Sequence, residues 1–168
     1  MTLDRLWAGW RAEYVTSAGG PLGAGAVAED GGGCVLCRVV AEGSFVVWRG
    51  EHVAVVLNAY PYTTGHVMVM PVRHAADLED LADAEAAELW GAAGDAVRAI
   101  KAAYRPHGMN LGANLGRAGG AGVPGHLHVH VVPRWDGDTN FMTAVAETRV
   151  LPESLPATHD RLRAAWAS

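Results

Sequence analysis

The chain contains the stretch His126-Leu127-His128-Val129-His130-Val131-Val132, in which histidine alternates with aliphatic residues as in a β-strand. Side chains two residues apart share a strand face. The pattern therefore predicts three histidines on one face and the aliphatic side chains against a helix on the other. The outer two Cα atoms would lie about 13 Å apart, too far for all three rings to bind one metal ion, although two adjacent rings could share one.

A single histidine on a sheet face is ordinarily incidental, whereas three on one face after a glycine-rich loop favour a functional site. One alternative is a small oxygenase or hydrolase in which His126 and His128 hold a catalytic metal. That site would need further carboxylate or histidine ligands, and no Asp or Glu lies in a comparable motif nearby. Another alternative is a nucleotide-binding scaffold with residual activity.

Composition excludes several classes of protein. The 168 residues are 50% hydrophobic and 18% charged, which is too apolar for a disordered chain. The net charge is −5, and the 13 Lys and Arg residues are scattered, so binding to duplex nucleic acid is not expected. No apolar run is long enough for a membrane span, and residues 1–7 do not resemble a secretory signal. We expect the cytoplasm as the compartment.

Strands and helices do not alternate strictly, which predicts an antiparallel α+β fold. The clearest helix spans residues 84–104, where Leu89, Ala93, Val97, Ile100 and Tyr104 form one apolar stripe. Short helices are expected over residues 1–16 and 153–167, and a mobile Gly- and Ala-rich loop over 17–33. The predicted strands cover residues 44–48, 52–57, 66–70, 108–114 and 126–132.

Further motifs accompany the histidine stretch in a fixed order. The chain resembles the histidine-triad (HIT) superfamily, and especially its bacterial branch that includes diadenosine tetraphosphate phosphorylases. That branch shares an N-terminal Arg-Leu-Trp and a Pro-Arg-Trp-x-Gly-Asp-x-Asn-Phe segment. The matching residues are Arg5-Leu6-Trp7, Leu57 to Pro61, Thr64 to Pro71, Arg73-His74, Asn110 to Gly116, the triad itself, and Pro133 to Phe141.

The resemblance implies a single HIT domain over residues 1–168, with about five antiparallel strands, one long helix and short terminal helices. It also implies that His128 attacks the α-phosphorus of an adenine nucleotide such as diadenosine tetraphosphate. A nucleotidyl-histidine would form, and water or inorganic phosphate would release it. Imidazole suits this role because its ordinary pKa is near 6.5. His130, Asn114 and His66 are the candidate donors to the phosphoryl oxygens.

Substrate-binding positions follow from the same resemblance. Asn58 matches a ribose-binding position, although a turn residue is the plain alternative. Backbone amides of the glycine-rich loop, including Gly122 and Val123, would approach the phosphates. Trp135 is expected either in the core or as a wall of the site. Many relatives place a Ser, Thr or Gln shortly before the triad, and residues 121–124 offer no such donor, which weakens the inference of phosphorylase chemistry.

The two cysteines are spaced as Cys34-x-x-Cys37, which by itself fits a metal site, a redox pair or two free thiols. Some HIT relatives complete a zinc site with a distant histidine and the first histidine of the triad. The resemblance therefore implies structural zinc on Cys34, Cys37, His74 and His126, and no organic cofactor. It also implies a homodimer that binds a nucleotide, with no nucleic-acid or membrane partner.

Overall fold

The computed structural model describes residues 33–138 and 151–166. The helix expected over residues 1–16 and nearly all of the loop expected over 17–33 lie outside these ranges. The division of the chain into one domain with an N-terminal loop therefore stays a prediction.

A five-stranded, wholly antiparallel sheet forms the centre of the described structure. Its spatial order is β1-β2-β3-β5-β4, which confirms the predicted α+β class and strand number. The first four strands lie close to their predicted positions. The strands are β1 (Val46–Arg49), β2 (Val53–Leu57), β3 (Val67–Pro71), β4 (Gly108–Ala113) and β5 (Val129–Arg134).

Helices cover both faces of the sheet, so its central strands are buried on both sides. On β2, Val53, Val55 and Leu57 belong to the larger core, while Ala54 and Val56 belong to the smaller one. This alternation follows from the two-residue period of a strand. The larger core includes the aliphatic residues of the histidine stretch, Leu127, Val129 and Val131, as predicted.

Among the described residues, three α-helices pack on the sheet: α1 (Val35–Glu42), α2 (Asp83–Tyr104) and α3 (Leu155–Trp166). Helix α2 begins one residue before its predicted start, ends where predicted, and buries Leu89, Ala93 and Ile100. No helix within the described ranges is both long and apolar enough to cross a bilayer.

Helix α1 was not predicted from the sequence. Its first turn follows Cys34, and it ends at Gly43, whose φ of +73° is the left-handed conformation common at helix ends. The helix buries Leu36 and Val40 against the smaller core. It therefore places the two cysteines next to the sheet.

The predicted strand over residues 126–132 is wrong at its start, because β5 begins only at Val129. Residues 126–128 precede the strand, and the bonds of His126 and Leu127 run to the last residue of β3 and to the loop that follows it. The Leu127 N–H donates to the Ala75 carbonyl oxygen at 2.7 Å, and His126 Nε2 donates to the Pro71 carbonyl oxygen at 2.9 Å. His126 is thereby directed away from the other two histidines of the triad.

An ion pair joins this loop to the start of α2. Arg73 donates through Nε and Nη2 to the two carboxylate oxygens of Glu85, at 2.9 and 2.8 Å. Glu85 Oε2 also accepts from the Ala82 N–H at the helix start. The Arg73 guanidinium, together with this N–H, lowers the pKa of Glu85 to about 2.

Replacing Glu85 with glutamine is expected to lower the free energy of unfolding at pH 7 by about 1 kcal/mol, since Arg73 is half exposed and partly screened. A carboxyl group whose pKa is lowered in the folded state stabilises the protein above its unfolded pKa. That stabilisation disappears as the pH falls from about 4.5 towards 2. Urea unfolding of wild type and Glu85→Gln at several pH values measures the difference.

The control is Glu42→Gln, because the Glu42–Arg38 pair is 4.0 Å apart and exposed on both sides, and this variant should match wild type. A Glu85→Gln deficit that stays constant from pH 7 to pH 3 would contradict the assignment.

Candidate active site and metal centre

Three of the histidines singled out in the sequence meet at the adjacent central strands β3 and β5. His66 precedes β3, His130 lies on β5, and His128 immediately precedes β5. The His66 and His130 ring centroids are 5.1 Å apart, and those of His128 and His130 are 5.0 Å apart. His66 and His128 are buried, whereas His130 is half buried.

The His128 ring has its proton placed by the backbone. Its Nδ1 lies 2.7 Å from the carbonyl oxygen of His126. A carbonyl oxygen can only accept, so Nδ1 carries the hydrogen. In the neutral ring, Nε2 then holds a lone pair and has the chemistry of a nucleophile.

Hydrogen bonds also determine which ring nitrogen carries the hydrogen in His66 and His130. The Tyr62 N–H donates to His66 Nδ1 at 3.1 Å, so the hydrogen of the neutral His66 ring lies on Nε2. That nitrogen lies 2.9 Å from His130 Nδ1 and donates to it. Neutral His130 therefore carries its own hydrogen on Nε2, where it serves as a donor.

Burial, and then the proximity of His128, lower the pKa of His130. Both effects oppose a positive charge on the ring. The neutral form with an Nε2 hydrogen is thus favoured near neutral pH.

Asn58 lies at the end of β2 beside His66. Its Oδ1 accepts from the Tyr60 N–H at 2.9 Å, and its Nδ2 lies 3.4 Å from His66 Nδ1. The first contact is that of an Asx turn, as the plain alternative for this residue expects. Gly65, with φ of +85°, ends this turn and brings the chain to His66.

Asn114 and the glycine-rich loop lie beyond the end of β4. Asn114 Nδ2 donates to the Gly120 carbonyl oxygen at 3.3 Å, so this side chain holds the loop to the strand end. Gly122 is exposed, whereas Val123 is half buried and packs against the smaller core. Trp135 is half buried just after β5, and its N–H donates to Asp138 Oδ2. The roles expected of these four residues towards a substrate stay predictions.

The two cysteines and two further histidines form a second cluster. His126 Nδ1 lies 3.4 Å from both Cys34 Sγ and Cys37 Sγ, and His74 Nδ1 lies 3.3 Å from Cys37 Sγ. The four candidate ligand atoms all lie within 4.8 Å of one another. The four residues expected to act together from the sequence are therefore adjacent in the fold.

The geometry of this cluster fits a tetrahedral metal ion. Zinc–sulfur bonds of about 2.3 Å and zinc–nitrogen bonds of about 2.0–2.1 Å place sulfur and nitrogen roughly 3.5 Å apart. His126 Nε2 donates to the Pro71 carbonyl oxygen, which leaves the lone pair of Nδ1 directed at the two sulfur atoms. Burial also lowers the pKa of His126 and so favours its neutral, metal-binding form.

The thiols themselves favour a cation between them. Burial, and next the adjacent Cys34, raise the pKa of the Cys37 thiol to about 11. Two sulfur atoms this close resist ionisation when nothing positive lies between them. A bound cation removes that penalty, because it stabilises the thiolates directly.

Comparison with known proteins agrees with this geometry. The HIT domain model matches residues 41–137, more than half of the chain. The chain belongs to the HIT family. An AP-4-A phosphorylase from Mycobacterium tuberculosis is 43% identical over 168 residues, covering 98% of this chain and 85% of that protein.

Solved structures of HIT proteins share the fold. A Zn-bound histidine triad family protein from Mycobacterium smegmatis superposes with a TM-score of 0.66 at 30% identity, covering 80% of this chain and 94% of the other. A hypothetical histidine triad nucleotide-binding protein from Sulfolobus tokodaii gives a TM-score of 0.67 at 28% identity, with coverages of 80% and 92%. The predicted HIT-type fold is thereby confirmed.

Two contributors to the HIT site were not recognised in the sequence. Tyr62 contacts the His66–His130 pair through its N–H and its ring, and the Pro71 carbonyl oxygen orients His126. Tyr62 lies in a turn-rich loop whose sequence shows neither helical nor strand periodicity. A backbone carbonyl carries no sequence signal at all.

Proposed function

We propose that this HIT protein is a nucleotidyl transferase or hydrolase that cleaves an adenine (purine) nucleotide, such as diadenosine tetraphosphate, at the α-phosphate. His128 Nε2 attacks the α-phosphorus, the remaining polyphosphate leaves, and a nucleotidyl-histidine remains. The observation that carries the proposal is the 2.7 Å contact of His128 Nδ1 with the His126 carbonyl oxygen, which leaves the lone pair of the neutral ring on Nε2, where it could attack phosphorus.

The surrounding groups fit the charge that develops in this reaction. His130 would donate its Nε2 hydrogen to the phosphoryl or leaving oxygen, with His66 holding the ring in place. Asn114 and the amides of Gly122 and Val123 would add donors, as anion-binding loops do. Asn58 would contact the ribose, and Trp135 would form a wall of the site.

The adenine base has an apolar surface available next to the histidines. Met68 pairs with His130 across the sheet. Together with Val46 and Val123 it is a partly buried member of the smaller core beneath α1. We propose that this surface holds the base, since nucleoside pockets are largely apolar.

Inorganic phosphate is a second candidate for the acceptor in place of water. The specific support is the 43% identity to a protein named AP-4-A phosphorylase. The absence of a side-chain donor in residues 121–124 is the feature that opposes it. Both reactions share the first step and differ only in what releases the nucleotide.

The acceptor is tested with diadenosine tetraphosphate in the presence and absence of inorganic phosphate. A phosphorylase forms ADP and ATP only when phosphate is present, whereas a hydrolase forms AMP without it. Diadenosine polyphosphates of other lengths and adenosine phosphoramidate, each with and without phosphate, separate the substrate classes. Intact substrate under all of these conditions would rule the proposal out.

We propose that Cys34, Cys37, His74 and His126 hold one structural zinc ion. Zinc would join α1 to the segment before β5. The short distances among the four candidate ligand atoms agree with such a site. Thiolate ligands need reduced cysteines, which fits the expected cytoplasmic compartment. Both His126 ring nitrogens already face partners, which argues against a catalytic metal shared by His126 and His128.

The homodimer expected from the resemblance is part of this proposal. Strand β4 is at the edge of the sheet, and the Leu111 side chain on it is 46% exposed. A strand at the edge of a sheet can pair with a second copy. Sedimentation equilibrium would show twice the chain mass, and a monomer at micromolar concentration would overturn this part.

A further inference from the structure

The Tyr62 ring lies over the His66–His130 pair, and none of the roles described above involves this ring. Its ring centroid is 4.6 Å from that of His66 and 5.7 Å from that of His130, with an interplanar angle of 28° to His130. The Tyr62 residue is 46% exposed. The ring therefore packs against both imidazoles on one side.

The same residue contacts the pair through its backbone. The Tyr62 N–H donates to His66 Nδ1, and this bond fixes the hydrogen of His66 on Nε2. Because His66 Nε2 carries the hydrogen, it donates to His130 Nδ1 across the 2.9 Å contact, and the hydrogen of neutral His130 then lies on Nε2. One residue thus sets the direction of the chain of hydrogen bonds and also covers it.

We propose that Tyr62 is a positioning residue that keeps His130 in the tautomer with its hydrogen on Nε2. A hydrogen bond shielded from water is stronger than an exposed one, because the local dielectric is lower. Without the ring, water reaches His130 Nδ1 and competes with His66 for that nitrogen. His130 then exchanges between its two tautomers, and the fraction of molecules with the hydrogen on Nε2 falls.

This inference rests on the proposed role of His130 as the donor in nucleotidyl transfer. The hydroxyl group of Tyr62 has no part in it. Tyr62→Phe keeps the ring and should behave like wild type, whereas Tyr62→Leu removes the aromatic cover. Tyr60→Leu is a matched control, since the Tyr60 side chain is 87% exposed and lies in the same loop.

The first measurement is made without substrate, by two-bond proton–nitrogen NMR of the folded protein labelled with ¹⁵N-histidine. Wild type, Tyr62→Phe and Tyr60→Leu should show His66 and His130 each in one Nε2–H tautomer. In Tyr62→Leu, His130 should show shifts averaged between tautomers. A single unchanged His130 tautomer in Tyr62→Leu would overturn the proposal.

The second measurement is the single-turnover rate of nucleotidyl transfer from diadenosine tetraphosphate. Tyr62→Leu should lower this rate by roughly 10- to 100-fold, within the range of a donor's contribution, while KM stays within about threefold. Tyr62→Phe should restore the rate. An unchanged rate in Tyr62→Leu contradicts the catalytic consequence. If wild type itself forms no nucleotidyl-enzyme, the proposed function fails, while the NMR result still decides whether Tyr62 orders the pair.

Discussion

Replacing His128 with alanine is expected to lower turnover of diadenosine tetraphosphate by at least about 1,000-fold while nucleotide binding persists. The variant lacks the atom that forms the covalent bond, and no other described group offers an imidazole lone pair held in the same way. Binding should persist because the apolar surface and the loop amides remain. Steady-state kinetics and calorimetric titration with adenosine nucleotides measure the two effects separately.

The control is His107→Ala, since the His107 side chain is exposed and pairs with Asp136 on the surface. This variant should turn over substrate at the wild-type rate. Turnover by His128→Ala within tenfold of wild type would favour the scaffold or metal-dependent alternatives.

Removing the metal is expected to produce the second large effect, on stability. Chelation should lower the free energy of unfolding by at least about 3 kcal/mol, because α1 and residues 126–128 lose the ion that joins them. For a chain of this size that corresponds to a fall of roughly 6–12 °C in Tm. Differential scanning calorimetry with and without a chelator, beside elemental analysis for zinc, measures both quantities.

The matched variant carries Cys34→Ser and Cys37→Ser. Its Tm should be low and insensitive to the chelator, because it has no thiolates to bind zinc. Wild type should contain about one zinc per chain, and the double variant almost none. A wild-type protein without zinc, whose Tm the chelator does not change, would contradict the metal assignment.

The central sheet and α2 could be predicted because their apolar residues form clear local patterns. The continuous apolar run from Val53 to Leu57 and the stripe through Leu89 and Ile100 are local signals of burial. Helix α1 was missed because its eight residues follow a run of glycines and have too little length for a clear period. Its one distinct signal was Gly43 at the end, which is weak without a stripe before it.

The residues that form the site could be predicted from the sequence more fully than their arrangement in space. Cys34, Cys37, His74 and His126 were grouped by resemblance, and the fold brings them together. The resemblance assigns His126 to the metal and His128 and His130 to the chemistry, but the alternation implies one continuous strand, whereas β5 begins only at Val129. The bonds that hold residues 126 and 127 outside the strand go to the carbonyl oxygens of Pro71 and Ala75, which any residue type would supply. The order of protons on the rings depends on backbone groups in the same way.

The covalent nucleotidyl-histidine can be trapped within a single turnover. Enzyme in excess over diadenosine tetraphosphate is quenched within one turnover, digested, and analysed by mass spectrometry under basic conditions that preserve phosphoramidates. We expect one adenylyl group on the peptide that contains His128, attached to that residue and absent from His128→Ala. Consumption of the substrate with no adduct, or with an adduct on another residue, would contradict it.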